Sequence, residues 1–76
     1  SLMSSLPAIS FSDLQKRLRG LGFQPVRQKG SHIRYAHPDG RKTTVPDHGS
    51  RTVPKGLLHK IIRNDLELDV NEFFDA

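Results

Sequence analysis

Histidine is the residue type in this sequence best suited to move a proton near neutral pH, and the chain has four histidines and no cysteine. The missing cysteine excludes thiolate nucleophiles, disulfides and cysteine-based zinc sites within these 76 residues. His32 directly follows a predicted turn, Lys29-Gly30-Ser31. Backbone N–H groups can approach a phosphate at a glycine because no Cβ intrudes. His32 is therefore our candidate for acid–base chemistry on a phosphate.

Cations lie close to His32 along the chain. Cleavage of RNA without a metal needs a base for the 2′-hydroxyl, an acid for the leaving 5′-oxygen and positive charge for the phosphorane. Histidine suits the first two tasks, and arginine and lysine suit the third. His32 is therefore the candidate catalytic residue, with an ordinary surface or hydrogen-bonded polar residue as the alternative, and we expect no metal or other cofactor. The predicted RNA-binding residues are Arg27, Lys29, Gly30, Ser31, Arg34, Lys42 and His48.

Charge is segregated along the chain, whose formal net charge is +4. No acidic residue lies between Asp13 and Asp39, whereas the segment after Arg63 carries only acidic charges. A basic body with an acidic tail favours a polyanionic partner such as nucleic acid. The alternative is ordinary solvated charge, which small proteins often distribute unevenly.

The remaining histidines have competing interpretations. His48 either contacts phosphate and assists proton transfer or caps a loop, and Asp47 either orients a histidine or serves a turn. His37 and His59 are interpreted as structural or solvated. A zinc site formed by His32, His37 and His48 is an alternative, but its spacing resembles no known zinc motif.

A first helix is predicted to begin after Ser10, which is a favourable N-cap with Asp13 in the capping-box position. It should end at Gly20 or Gly22. Its apolar stripe consists of Phe11, Leu14, Leu18 and Leu21.

Three antiparallel strands are predicted next, over residues 23–28, 32–37 and 41–45. Pro25 confines the first strand to an edge or a bulge. Alternation in the second strand places Ile33 and Tyr35 on one face, so that Tyr35 belongs to the core rather than to a base-stacking surface. His32 and Arg34 then lie on the opposite face.

A second helix is predicted to start near Pro54, which the first helical turn tolerates, and to end near Asn64. Asp69 and Glu72 indicate a last short helical turn. This turn carries two phenylalanines, Phe73 and Phe74, which are expected either to pack on the core or to face a partner.

These elements predict an α+β fold of order α-β-β-β-α, with both helices on one face of the sheet and one domain spanning 10–76. The predicted core includes Leu14, Leu18, Ile33, Leu58, Ile61 and Ile62. Residues 1–9 are expected to be a disordered N-terminus, with Ser1 and Leu2 left from cloning ahead of the natural start at Met3. The sequence has no apolar run long enough to span a membrane and no signal peptide, which favours the cytoplasm.

Several motifs together resemble the HicA toxin family, also known as YcfA-like mRNA interferases. The resemblance runs from about Ser10 to Phe74 and rests on Leu21-Gly22-Phe23, Gly30-Ser31-His32, Thr44-Val45-Pro46-Asp47-His48, Gly56-Leu57-Leu58, Ile61-Ile62-Arg63 and Glu72-Phe73-Phe74. One departure is Thr52-Val53-Pro54-Lys55, where family members commonly carry Glu-Leu or lysine-rich residues.

The resemblance implies a fold similar to double-stranded-RNA-binding domains, an essential histidine matching His32, and endoribonuclease activity as the toxin of a type II toxin–antitoxin system. It also implies an mRNA substrate, neutralisation by a HicB-type antitoxin, and a monomer when free of that antitoxin. The alternatives are a non-catalytic module that binds duplex RNA by shape and a protein-interaction domain with a basic docking face. His32 favours the enzyme, because arginine or lysine would serve phosphate binding better at that position.

Overall fold

The computed structural model describes residues 6–75. The elements in chain order are helix α1 (Phe11–Gly20), strands β1 (Gln24–Lys29), β2 (His32–Ala36) and β3 (Lys42–Pro46), helix α2 (Lys55–Lys60), which continues into a π-helical turn (Ile61–Asp65), and helix α3 (Val70–Asp75). This confirms the α+β fold and is consistent with the α-β-β-β-α order of double-stranded-RNA-binding domains. Within residues 6–75, every helix falls short of the length and apolarity that a membrane span requires.

Helix α1 begins where its capping residue predicts. Ser10 has an extended backbone, and its hydroxyl oxygen accepts a hydrogen bond from the Asp13 N–H at 3.1 Å. The Ser12 N–H donates to the Gly49 carbonyl at 3.0 Å. The loop after β3 therefore satisfies a donor of the first helical turn that would otherwise lack a partner.

The sheet has the order β1-β2-β3 and is antiparallel throughout. Its β1–β2 register shifts at Val26, because Pro25 pairs with Tyr35 whereas Arg27 pairs with Arg34. This bulge and the edge position both agree with what Pro25 predicts. Every residue of β1 is exposed, so the helices cover mainly β2 and β3.

The covered face of the sheet carries the alternate residues of β2 and β3, including Ile33, Tyr35, Thr43 and Val45. Tyr35 has no exposed surface, which confirms it as a core residue. The six residues predicted for the core are all buried. The core consists of Leu6, Phe11, Leu14, Leu18, Phe23, Ile33, Tyr35, Val45, Val53, Leu58, Ile61, Ile62, Leu66, Val70 and Phe73.

Packed structure begins earlier than predicted at the N-terminal end. Leu6 is only 3% exposed and belongs to the core. The Ile9 carbonyl accepts a hydrogen bond from the Val53 N–H at 2.9 Å. The expectation of disorder over 1–9 therefore does not hold for residues 6–9, because apolar burial and a backbone hydrogen bond fix them. Residues 1–5, including the proposed cloning residues, lie outside the described part of the chain.

Helix α3 is held by reciprocal capping and by contact with α1. The Glu72 N–H donates to Asp69 Oδ1 at 2.8 Å, and the Asp69 N–H donates to Glu72 Oε1 at 3.1 Å. Phe73 is fully buried and Phe74 is partly buried. The Arg17 guanidinium donates to the carbonyls of both phenylalanines at 3.4 and 3.2 Å. Of the two expectations for this segment, packing on the core is therefore the one observed.

The π-helical turn sets the contact between the second helical segment and β3. The Leu66 N–H donates to the Ile61 carbonyl at 2.9 Å, which is the wide spacing of a π turn. Asp65, at the end of this turn, accepts a hydrogen bond from the Thr43 hydroxyl at 2.9 Å. The turn thereby ties the helical layer to the sheet edge formed by β3.

Candidate nucleic-acid interface

The uncovered face of the sheet brings the predicted basic residues together. Lys29 pairs with His32 across β1 and β2, and Arg27 pairs with Arg34. Directly paired residues share a face and place their Cβ atoms roughly 4.5–5.5 Å apart. Lys42, on β3, pairs with Ala36, which is two residues after Arg34 on β2. Lys42 is therefore a diagonal neighbour of Arg34 on the same face. We refer to Arg27, Lys29, His32, Arg34 and Lys42 as the open face.

Like charges oppose one another on the open face. Arg27 and Arg34 are direct cross-strand partners, an arrangement that destabilises an isolated sheet. Within residues 6–75, no ion pair to a carboxylate neutralises either arginine or the neighbouring Lys29. Arg34 instead makes a long hydrogen bond of 3.5 Å to the Thr44 hydroxyl. A bound polyanion would relieve this repulsion, which is the behaviour expected of a phosphate-binding surface.

The turn that precedes His32 is fixed at two points. Gly30 has a φ of 60°, a left-handed conformation that side chains rarely adopt. Its carbonyl accepts a hydrogen bond from Gln28 Nε2 at 3.0 Å. The Ser31 carbonyl accepts a hydrogen bond from the Asp47 N–H at 2.6 Å. Gly30 and Ser31 are exposed, so a ligand can reach both residues.

His32 itself is exposed at the start of β2, where its backbone pairs with Lys29 on one side and Pro46 on the other. Within the described residues, its imidazole makes no hydrogen bond or ion pair to the protein. An imidazole that is free at both nitrogens can accept a proton at one nitrogen and donate one at the other.

His48 lies away from the strand ladder. Its ring packs edge-on against Phe11, the first residue of α1, with 5.2 Å between ring centroids. The neighbouring Asp47 carboxylate accepts a hydrogen bond from Gln15 Nε2 at 3.2 Å. Asp47 therefore has a glutamine partner, and no histidine bonds to it among the described side chains. The His48 ring thus packs its loop against the start of α1, and a contact between His48 and phosphate stays a prediction.

His37 is a structural residue beside the β2–β3 turn. Its ring packs against Phe23 with 5.0 Å between centroids, and its Nδ1 accepts a hydrogen bond from the Asp39 N–H at 3.1 Å. A Cβ added at Gly22 would lie 2.9 Å from His37 Nε2. The Arg41 backbone N–H and guanidinium bond to the Asp39 carboxylate and lower its pKa.

The alternative zinc site is not formed. Across residues 6–75, no three histidine or carboxylate side chains lie close enough together to hold an ion. His32 and His37 stand at opposite ends of β2, and His48 packs on α1. His59, the remaining histidine, is partly buried on α2.

Gln15 is a residue that the sequence analysis missed. It is only 7% exposed on α1, and its Oε1 accepts a hydrogen bond from the Tyr35 hydroxyl at 2.7 Å. Burial is the main cause that raises the pKa of Tyr35 above its ordinary value. A helical projection would have found Gln15, because it lies four residues after Phe11 and three before Leu18 and so falls on the apolar stripe.

These features define a small α+β domain with helices on one face of an antiparallel sheet and a cationic, histidine-bearing opposite face. The family model described as the HicA toxin of bacterial toxin–antitoxin systems matches residues 11–65. The chain therefore belongs to the HicA toxin family, which confirms the resemblance of its motifs. It is 29% identical over 55 residues to a Pseudomonas fluorescens (strain Pf0-1) protein named probable mRNA interferase HicA, covering 72% of this chain and 90% of that relative.

Proposed function

We propose that this chain is the toxin of a type II toxin–antitoxin system and acts as a metal-independent endoribonuclease on mRNA, with His32 as its catalytic residue. Family membership and the name of the Pseudomonas relative support an RNA-cleaving toxin. The observation that carries the residue assignment is the position of His32. His32 is exposed, its imidazole has no hydrogen-bond or ion-pair partner among residues 6–75, and it lies opposite Lys29 and beside Arg34 on the open face.

The proposed chemistry is attack by the RNA on its own backbone. His32 takes the proton of a 2′-hydroxyl, the 2′-oxygen bonds to phosphorus, and the bond from phosphorus to the 5′-oxygen breaks. The 5′-oxygen leaves with a proton, which water can supply because the site is exposed. The products are a 2′,3′-cyclic phosphate and a 5′-hydroxyl. Arg27, Lys29 and Arg34 stabilise the additional negative charge on phosphorus in the transition state.

The Gly30-Ser31 turn and the outlying Lys42 complete the proposed RNA contacts. Exposed backbone at Gly30 can approach a phosphate closely, and Ser31 has a hydroxyl that can donate to a phosphate oxygen. Lys42 extends the positive charge across the sheet to β3. His48 is proposed to contact phosphate at the periphery of the site. Its packing against Phe11 makes it a poorer candidate for proton transfer than His32.

A HicB-type antitoxin is the proposed protein partner, on the basis of the family. Such an inhibitor would act most directly by covering His32 and the adjacent cations, because that removes the base and the phosphate-binding charge together. Acidic residues on the inhibitor would also relieve the repulsion between Arg27 and Arg34.

The test incubates the purified chain with RNA in EDTA beside His32→Ala and His32→Gln variants. We expect the chain to cut RNA, to leave 2′,3′-cyclic phosphate ends, and to spare a substrate with a 2′-deoxy sugar at the scissile position. His32→Ala should lower the rate about a hundredfold or more while retaining much of the RNA affinity. His32→Gln should be nearly as impaired, because an amide cannot shuttle a proton.

His59→Gln is the matched control, because it removes a histidine from α2 rather than from the open face, and it should cut RNA at the unmodified rate. Loss of cleavage in EDTA, equal cleavage of DNA, or full activity of His32→Ala would contradict the assignment. RNA binding without any cleavage would instead support the duplex-RNA-binding module, for which the fold and the cationic face would be sufficient.

A further inference from the structure

A hydrogen-bonded chain of three side chains connects the protein core to the turn that carries His32. The Tyr35 hydroxyl donates to Gln15 Oε1 at 2.7 Å, and Gln15 Nε2 donates to Asp47 Oδ1 at 3.2 Å. The Asp47 backbone N–H then donates to the Ser31 carbonyl at 2.6 Å. Ser31 is the residue directly before His32. This series of hydrogen bonds thus runs from the covered side of the sheet to the start of β2.

The direction of each hydrogen bond is determined by its neighbours. An ionised Asp47 carboxylate can only accept, so Gln15 must turn its NH₂ group toward it. The amide oxygen of Gln15 then faces Tyr35, whose hydroxyl must donate. The Asp47 carboxylate therefore sets the orientation of the Gln15 amide, and the amide in turn makes the Tyr35 hydroxyl the donor.

This buried polar chain has no evident packing advantage. Tyr35 has no exposed surface and Gln15 is 7% exposed, so both have lost contact with water. Burying polar groups is costly unless they are hydrogen-bonded, and an apolar residue at position 15 would extend the stripe of Phe11 and Leu18. A polar residue at this position therefore points to a role beyond filling the core.

The register between β2 and β3 shows which part of the backbone the hydrogen bonds of Gln15 and Asp47 hold in place. His32 pairs with Pro46 across β2 and β3, and Asp47 is the next residue after Pro46. Asp47 therefore lies at the end of the strand pair where His32 begins β2. A change in the position of Asp47 would move the Ser31 carbonyl to which it bonds and, with it, the backbone of His32.

We propose that Gln15 is a positioning residue for His32, acting through Asp47 and the Ser31 carbonyl. The assignment rests on the proposed ribonuclease function. Gln15 lies on α1, behind the sheet, and makes no proposed contact with RNA. Its loss should therefore lower kcat while leaving KM nearly unchanged, because the cations of the open face still bind the phosphates.

The experiment replaces Gln15 with Met, which has a similar size but lacks the amide. Backbone amide exchange at Asp47 and steady-state cleavage of RNA are measured at a temperature where thermal unfolding shows the variant to be folded. We expect exchange at the Asp47 amide to accelerate about tenfold or more, because its hydrogen bond is no longer supported. We expect kcat to fall about tenfold and KM to change less than about twofold.

Two further variants separate positioning from general destabilisation. Ile61→Val trims a core residue outside the hydrogen-bonded chain and should retain both kcat and the protection of the Asp47 amide. In the double variant Gln15→Met with Asp47→Ala, the fold-loss of kcat should be smaller than the product of the two single fold-losses, because each change removes the same hydrogen bond between Gln15 Nε2 and Asp47 Oδ1.

Unchanged Asp47 exchange and unchanged kcat in Gln15→Met would overturn the proposal, as would an equal loss of kcat in Ile61→Val. The exchange measurement needs no enzymatic activity. If His32 proves dispensable, the ribonuclease assignment fails by itself, and the Asp47 amide still reports whether Gln15 holds the turn.

Discussion

The two faces of the three-stranded sheet differ in burial and in charge, most clearly along β2 and β3. Toward the helices, β2 presents Ile33 and Tyr35, which are at most 9% exposed. Toward solvent, it presents His32 and Arg34, which are exposed and lie beside further cations. Because neighbouring residues on one strand alternate between these faces, effects on stability and on activity should separate residue by residue.

The largest expected effect is on the covered side. Leu18→Ala should lower the free energy of unfolding by about 2–5 kcal/mol, because it leaves a cavity under the sheet. That loss is enough to unfold much of a domain this small. Urea denaturation followed by circular dichroism measures it. Lys16→Ala on the exposed side of α1 is the control, and a comparable loss in that variant would refute the division of α1 into buried and exposed sides.

His32→Ala should show the opposite behaviour. We expect its free energy of unfolding to stay within about 0.5 kcal/mol of the unmodified chain, because the side chain is exposed and makes no hydrogen bond to any other residue in the range 6–75. Denaturation measured beside the cleavage assay tests this directly. A destabilised His32→Ala would mean that its lost activity reports unfolding rather than catalysis.

Arg27→Gln should weaken RNA binding and slightly raise the free energy of unfolding. RNA affinity should fall, and the slope of its logarithm against the logarithm of salt concentration should decrease by roughly one. Removing the repulsion with Arg34 should add up to about 1 kcal/mol to the free energy of unfolding. Binding titrations over a range of salt concentrations, together with denaturation, measure both terms. Salt-independent binding would count against the open face as the RNA surface.

The smallest effect concerns the alkaline limit of stability. Burial raises the pKa of Tyr35, so the folded state keeps this proton at a pH where the unfolded chain, with an ordinary pKa of about 10, releases it. The resulting stabilisation is complete below pH of about 10 and is lost as pH rises toward the higher, folded pKa. Unfolding free energies compared between pH of about 9 and 11 should fall less steeply in Tyr35→Phe than in the unmodified chain. An equal fall of the unfolding free energy with pH in both proteins would contradict the raised pKa of Tyr35.

Local sequence signals were sufficient to predict most of the fold. Ser10 marked the start of α1, the alternation of Ile33 and Tyr35 marked the buried face of β2, and Asp69 with Glu72 marked α3. Each signal acts over a few residues, so it can be read directly from the chain. The burial of Leu6 was not predictable in this way, because it depends on how distant elements enclose it.

The π-helical turn was also beyond prediction, because the spacing of Ile61 and Ile62 suits an ordinary helix equally well. For the candidate site, strand alternation placed Arg34 beside His32 correctly. The positions of Arg27 and Lys29 opposite Arg34 and His32 depend on the register between β1 and β2. That register is set by the bulge at Val26, and Pro25 alone predicted only an edge strand or a bulge. Gln15 escaped notice because periodicity counts apolar residues, whereas its contacts to Tyr35 and Asp47 are long-range and polar.

The attachment of α3 has a consequence for where this domain can be divided. The family match ends at residue 65, yet Leu66, Val70 and Phe73 beyond it belong to the core, and Arg17 holds the last helix against α1. A fragment cut to the shared family segment would expose the apolar surface that Phe73 covers and leave the Arg17 guanidinium without its carbonyl partners. The segment after residue 65 therefore contributes to the core of this domain, and we expect its removal to destabilise the fold.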